Sequence, residues 1–173
     1  AEEGKNMAVE KFILSVLVNN EAGVLTRVAG LFARRSFNID SLSVAETQDE
    51  KVSRITISAT GDDYLKDQIV HQLEKLHDVR VVQVMDPERT VVRELMLIKI
   101  SANHEERSHI QEAVGVFRAK VVDLAQDSMI VELTGEKSKI DAFLAFLKPY
   151  RVTELCRTGM TAIGRSDYIL NRD

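Results

Sequence analysis

KFILSVLVNNEAGVLTRVAGLFARRSFN, residues 11–38, changes its hydrophobic period once, and that change sets the fold. From Lys11 to Val18 the apolar residues Phe12, Leu14, Val16 and Val18 recur at every second position, with Ile13, Ser15 and Leu17 between them. This is a strand with two rather apolar faces, covered on one side and partnered on the other. Asn19-Asn20-Glu21-Ala22-Gly23 is a turn cluster. From Val24 the period becomes helical: Val24, Leu25, Val28, Leu31 and Phe32 share one face, with Arg27, Arg34 and Arg35 off it. Ser36-Phe37-Asn38 ends the helix.

Ile39 to Thr47 and Lys51 to Thr60 are two further strands, joined around Gln48-Asp49-Glu50. In the second, Ser53, Ile55, Ile57 and Ala59 alternate with Arg54, Thr56 and Ser58, which predicts one wet face. Gly61-Asp62-Asp63 stops this strand and supplies a helix N-cap. Leu65, Ile69, Leu73 and Leu76 then repeat at helical spacing, and Val79 to Met85 closes the unit as a strand. The order β-α-β-β-α-β is the split βαβ unit of ferredoxin-like folds. After the linker-like Asp86-Pro87-Glu88-Arg89 the order recurs, with strands at Glu94–Ile100, Ala119–Ala125, Met129–Thr134 and Val152–Arg157. Its helix faces are Ile110, Ala113, Val114, Phe117 and Ile140, Phe143, Leu144, Leu147. Thr60-Gly61 reappears as Thr134-Gly135, each pair just before an acidic helix start. The expected class is α+β, with two ferredoxin-like domains at residues 10–86 and 93–165. Each four-stranded sheet carries its helices on one face only, so its other face and its edges need cover, and pairing between two copies of the chain, a homodimer, would supply it.

With 173 residues there is room for two such small domains. The composition, 45% hydrophobic and 29% charged, is that of a globular chain. A net charge of −4 provides no global basic footprint for nucleic acid or an anionic membrane. The longest uncharged stretch, Phe12–Asn20, is far too short to span a bilayer. The single cysteine, Cys156, leaves no intrachain disulfide and no multi-cysteine metal site. Without a secretory segment, a cytoplasmic setting is expected. Residues 1–6 are left out of the fold reading as a loose end.

Asn20-Glu21-Ala22-Gly23-Val24-Leu25 is the segment with the most chemistry. Gly23 can take backbone angles closed to other residues and admits a ligand. The amides of Gly23, Val24 and Leu25 fall at a helix start, where no intrahelical partner exists and an anion is favoured by about 0.3–1 kcal/mol. Asn20, and Asn38 beyond the first helix, add side-chain amides. A carboxylate at the helix start and an ammonium at amide oxygens is what a free α-amino acid requires. The plain alternative, which spacing alone favours, is an ordinary β-to-α turn in which Asn20 caps the helix. Other candidates are weaker. His71, His77, His104 and His109 lack metal-ligand spacing. Cys156 in a strand reads as a packed thiol, Asp40 and Asp62-Asp63 as turn and cap residues, and Arg34-Arg35 as a solvated helix end. No phosphate loop or nucleophile elbow is present, which favours a binding or regulatory protein over an enzyme.

The run Asn20 to Val28, then Gly30-Leu31-Phe32, Arg35 and Asn38-Ile39-Asp40-Ser41-Leu42, resembles the ACT domain of acetolactate synthase (acetohydroxyacid synthase) small subunits. The resemblance continues through Ser53–Ile57, Gly61-Asp62, Arg93–Lys99, Phe117-Arg118-Ala119, Thr134-Gly135, Lys139–Leu144, Pro149-Tyr150 and Arg157-Thr158-Gly159. It implies a non-catalytic regulatory subunit without catalytic residues, metal or cofactor of its own. Its partner would be a large catalytic subunit that holds thiamine diphosphate, Mg²⁺ and FAD and makes the shared precursors of valine, leucine and isoleucine. The implied role is activation of that subunit and feedback inhibition by valine, bound where two ACT domains pair. On this resemblance Asn20, Gly23, Val24 and Leu25 serve from one chain and Asn38 and Ile39 from its partner. Two positions depart from the family: Ser36 and Arg151 stand where glycine is common. A stand-alone amino-acid sensor acting on a different partner, such as a transcription factor, is the second reading, although no DNA-reading helix or basic patch is visible. An acylphosphatase on the same fold is disfavoured, because Asn19-Asn20-Glu21 puts an acid where a phosphate-cradling loop with arginine is needed.

Overall fold

The computed structural model describes residues 8–170, which divide into two compact units. The first runs to Val91 and includes the segment from Thr161 onward; the second is Val92–Met160. The residues after Met160, which the sequence pattern places in the second repeat as far as 165, thus group with the first unit.

The first unit contains β1 (Glu10–Asn19), α1 (Val24–Arg34), β2 (Ser41–Glu46), β3 (Val52–Gly61), α2 (Asp63–Glu74) and β4 (Val79–Val84). Its antiparallel sheet has the order β2-β3-β1-β4. A 3-10 turn, Pro87–Arg89, leads into β5 (Thr90–Ser101), followed by α3 (His104–Val116), β6 (Lys120–Leu124), β7 (Ser128–Gly135), α4 (Lys137–Phe146), β8 (Arg151–Arg157) and β9 (Thr161–Gly164). The second sheet has the equivalent order β6-β7-β5-β8. Both are ferredoxin-like. The duplication extends to register: Gly61 lies opposite Glu10, and Gly135 opposite Glu94. A Cβ at either glycine would come within 2.2 Å of Leu65 Cδ2 or 2.6 Å of Lys139 Cδ, so each glycine lets a side chain from the first turn of the following helix lie across the strand end. Among the described residues no helix is long and apolar enough to cross a membrane.

The core follows the alternation. The cross-strand pairs Val16–Ile55, Leu14–Ile57 and Phe12–Ala59 lie beneath Val24, Val28, Leu31 and Phe32 of α1 and Ile69 and Leu73 of α2. Leu25, placed by period in the same stripe, is instead 43% exposed, because its neighbours already fill the face of α1 that meets the sheet. The sheet face expected to be wet is not: Ser15, Thr56 and Ser58 are buried. Arg54 lies there, its Nη2 donating to Ser15 Oγ at 3.0 Å and to the Ala162 carbonyl at 2.8 Å, so part of the cover is the chain's own C-terminal segment. Cys156 is exposed rather than packed, since it belongs to β8, an edge strand exposed along its whole length.

Asp62 caps α2 as expected, accepting the Leu65 amide at 2.8 Å. The end of α1 shows what Ser36 costs. Its φ is +55°, the left-handed region that favours glycine. The Ser36 amide donates to Ala33 O at 3.2 Å and the Phe37 amide to Phe32 O at 3.0 Å, a Schellman ending sealed by an edge-on Phe32–Phe37 contact. Ser36→Gly should therefore stabilise the first unit by about 0.5–1 kcal/mol, the relief of strain less the entropy glycine adds to the unfolded chain. A denaturation midpoint that fails to rise would contradict this. Arg151 carries no such strain: its φ is not positive, and it opens β8.

Candidate functional site

The loop between β1 and α1 is braced on two sides. The Asn20 amide donates to the Lys51 carbonyl at 2.8 Å, and its side-chain Nδ2 reaches the Glu50 carbonyl at 2.8 Å and Glu46 Oε1 at 3.4 Å. Both partners are acceptors, so the amide orientation is determined and Oδ1 faces away, without a partner among the described residues. On the other side the Asn19 amide donates to the Asp78 carbonyl at 2.9 Å, and Arg80 Nε donates to Asn19 Oδ1 at 2.7 Å. Arg27, one turn into α1, donates from Nε to Asp78 Oδ2 at 2.5 Å. His77 Nε2 lies 3.1 Å from the other oxygen of this buried carboxylate.

Arg27 holds the Asp78 carboxyl below the usual carboxylate range, and burial opposes that shift without cancelling it. A depressed folded-state value means a stabilising contribution that is complete above the unfolded carboxylate value, near pH 4, and is lost as pH falls through the depressed one. Asp78→Asn should thus be less stable than the parent at neutral pH, with the difference shrinking on acidification below about pH 4. Thermal melts across that range check it; a constant gap between the two chains would overturn it.

Gly23 occupies the N-cap of α1 with φ +85°, and no side chain caps the helix. Asn20 is therefore a brace for the loop and not a cap. The Gly23 carbonyl accepts the Arg27 amide at 3.0 Å, and Val24 N makes a long 3.4 Å contact with the Glu21 carbonyl. The amides of Gly23, Leu25 and Thr26 have no hydrogen-bond partner among the described residues. The equivalent helix of the second unit is closed by a capping box: Asn103 Oδ1 accepts the Glu106 amide and Glu106 Oε2 accepts the Asn103 amide, both at 2.9 Å. One helix start is open and its duplicate is filled by its own side chains.

The Val24 side chain belongs to the core, so only its backbone faces the loop, while Leu25 offers exposed apolar surface beside it. Asn38 and Ile39 follow the other end of α1. Asn38 is exposed, its Nδ2 3.3 Å from Asp40 Oδ1, and Ile39 packs on the core. An eleven-residue helix separates the two groups by about 16 Å, so a single chain does not bring Asn38 and Ile39 to Gly23.

This arrangement can be set beside known proteins. A family model described as "AHAS small subunit-like ACT domain" matches residues 14–81, and one described as "Small subunit of acetolactate synthase" matches 93–166. The chain is 46% identical over 160 residues to the probable acetolactate synthase small subunit of Methanothermobacter thermautotrophicus, covering 92% of this chain and 95% of that one. It is 42% identical over 159 residues to the isozyme 3 small subunit of Salmonella typhimurium, covering 91% and 98%. The chain belongs to the acetolactate synthase small-subunit family. The crystal structure of the Thermotoga maritima small subunit superposes with a TM-score of 0.85 at 40% identity, covering 91% of this chain and 99% of that one. The ACT match includes the whole braced loop.

Sequence reasoning did not find Arg27, Asp78 and Arg80 as the residues that hold the loop. Arg27 read as a charge off the apolar face, and nothing local ties it to an aspartate 51 positions away. Among the described residues no group of three or more His, Cys, Asp or Glu is placed to hold a metal ion.

Proposed function

We propose that this chain is the non-catalytic regulatory subunit of an acetolactate synthase, activating a large catalytic subunit and conferring feedback inhibition by valine. Membership of the small-subunit family supports the partnership. The observation that carries the effector assignment is the open start of α1 beside its self-capped duplicate α3. The valine carboxylate would take the unpartnered amides at Gly23 and Leu25 and draw the Val24 amide from its long contact with the Glu21 carbonyl. Its ammonium would take Asn20 Oδ1, and its side chain the apolar surface at Leu25. Asn38 and Ile39 would come from a second copy, because α1 keeps them from the loop of their own chain. Thiamine diphosphate, Mg²⁺ and FAD are proposed for the catalytic partner alone.

Regulation then follows from coupling. Valine favours one arrangement of the paired domains, and that arrangement supports the catalytic subunit less well. The expected coupling is about 1–3 kcal/mol, and the catalytic partner changes valine affinity by the same factor. One methylene is worth only about 1–3 kcal/mol in such a pocket, so isoleucine and leucine should act more weakly but measurably.

The test combines the purified chain with a large subunit and follows acetolactate formation with and without valine. An unchanged rate would overturn the partnership; activation without valine inhibition would overturn the effector. In calorimetry Asn38→Ala should weaken valine binding by up to about tenfold, the worth of one hydrogen bond. Undiminished affinity would move the effector away from the paired copies.

A further inference from the structure

The chain beyond Met160 has a second consequence in the first unit. It is tied down by Arg165, whose amide donates to the Arg89 carbonyl at 2.7 Å, and by Tyr168, whose hydroxyl accepts the Asp86 amide at 3.1 Å and donates to the Val84 carbonyl at 3.3 Å. The Arg89 guanidinium stacks 4.6 Å above the Tyr168 ring. Between this strap and the helix-free face of the sheet lies a cleft of about 570 Å³, a volume that admits a small organic molecule. Leu17, Val52, Val81 and Ile163 form its apolar walls, and Arg54 and Arg80 enter it.

The two arginines are unusual in their company. Arg54 meets only neutral acceptors, Ser15 Oγ and the Ala162 carbonyl, and its Nε is buried without a partner. Arg80 Nε meets the Asn19 amide oxygen, also neutral. Neither takes part in an ion pair among the described residues. Asp49 is the one acidic residue in the lining, and its Oδ1 accepts the Lys51 amide at 3.0 Å. Burial draws the Arg54 guanidinium below its ordinary value, yet such a group stays charged at any physiological pH. A half-buried charge with no counter-charge is one that an incoming anion stabilises.

We propose that this cleft is a binding site for a small amphipathic organic anion, distinct from the open start of α1 although Arg80 also braces the β1–α1 loop through Asn19, with its oxyanion group taken by Arg54 and Arg80 and its apolar body against Leu17, Val52, Val81 and Ile163. A carboxylate and a phosphoryl group share the required chemistry. The test follows proton–nitrogen correlation spectra of the full chain titrated separately with hexanoate, butyl phosphate and hexan-1-ol. Saturable shifts at the Val52, Val81 and Ile163 amides are expected with at least one anion, about tenfold or more tighter than with the alcohol, and the tighter anion identifies the head group. Arg54→Gln and Arg80→Gln should each weaken that anion about tenfold or more, the worth of a charge-assisted hydrogen bond, with the remaining spectrum reporting an intact fold. Either variant suffices if the other fails to fold. The proposal is overturned by absence of saturable shifts, by equal response to the alcohol, by shifts confined to the Gly23–Thr26 amides, or by unchanged affinity in a folded arginine variant.

Discussion

Gly23→Asp is expected to raise the valine concentration for half-inhibition by about tenfold or more, within the usual range of coupling energies, while activation of the catalytic subunit persists. The substitution places a carboxylate at the open start of α1, beside the unpartnered amides of Leu25 and Thr26, where the effector's own acid group is proposed to sit. The fold should survive it. A Cβ at this position meets Arg27 Nη1 at 3.0 Å, the end of a long side chain, and aspartate tolerates a positive φ better than most residues. Gly23→Ala separates charge from strain: it has the backbone cost without the carboxylate, and should shift inhibition less. Inhibition curves for the three chains against one catalytic subunit give the answer. Equal valine sensitivity in the parent and in Gly23→Asp would remove the loop from the effector site.

Arg157→Ala is expected to destabilise the second unit by about 3 kcal/mol. Arg157 grips Glu94 with a fork, Nε to Oε1 at 2.6 Å and Nη2 to Oε2 at 3.0 Å, and the Glu94 residue is only 5% exposed. Truncating the arginine leaves a buried carboxylate without a counter-charge, which costs far more than an intact pair contributes. The paired replacement Glu94→Gln with Arg157→Met removes both charges and should recover much of the loss. Hydrogen exchange at β5 and β7 amides reads the second unit directly. Protection unchanged in Arg157→Ala would show that solvent reaches Glu94 readily and that the fork is marginal.

The site was legible where its chemistry is local. Gly23, with its positive φ, follows from a glycine between an alternating run and a 3.6-residue run, and the open amides follow from the helix beginning there. The assignment of Asn20 as a helix cap, favoured by spacing, failed because the β2–β3 turn brings the Glu50 carbonyl within reach of its side chain, a partner 30 positions away. The strain at Ser36 could be anticipated, since a Schellman ending places its left-handed residue directly after the last turn. The wet face expected from Arg54, Thr56 and Ser58 was wrong for a non-local reason: alternation tells which residues share a face, and says nothing of what later chain crosses it.

Two ferredoxin-like units, the order of their elements along the chain, the cap at Asp62 and the glycine at the loop are consequences of residue order alone, because periods of two and 3.6 and the caps that end them act over a few neighbours. Folding in three dimensions was needed to join Arg27 to Asp78, Arg157 to Glu94 and Arg54 to the Ala162 carbonyl, and to carry residues after Met160 back onto the first sheet. These pairings link groups 51, 63 and 108 positions apart. A charge finds such a partner through the register of the strands between them, and its own neighbourhood in the chain carries no mark of which partner that will be.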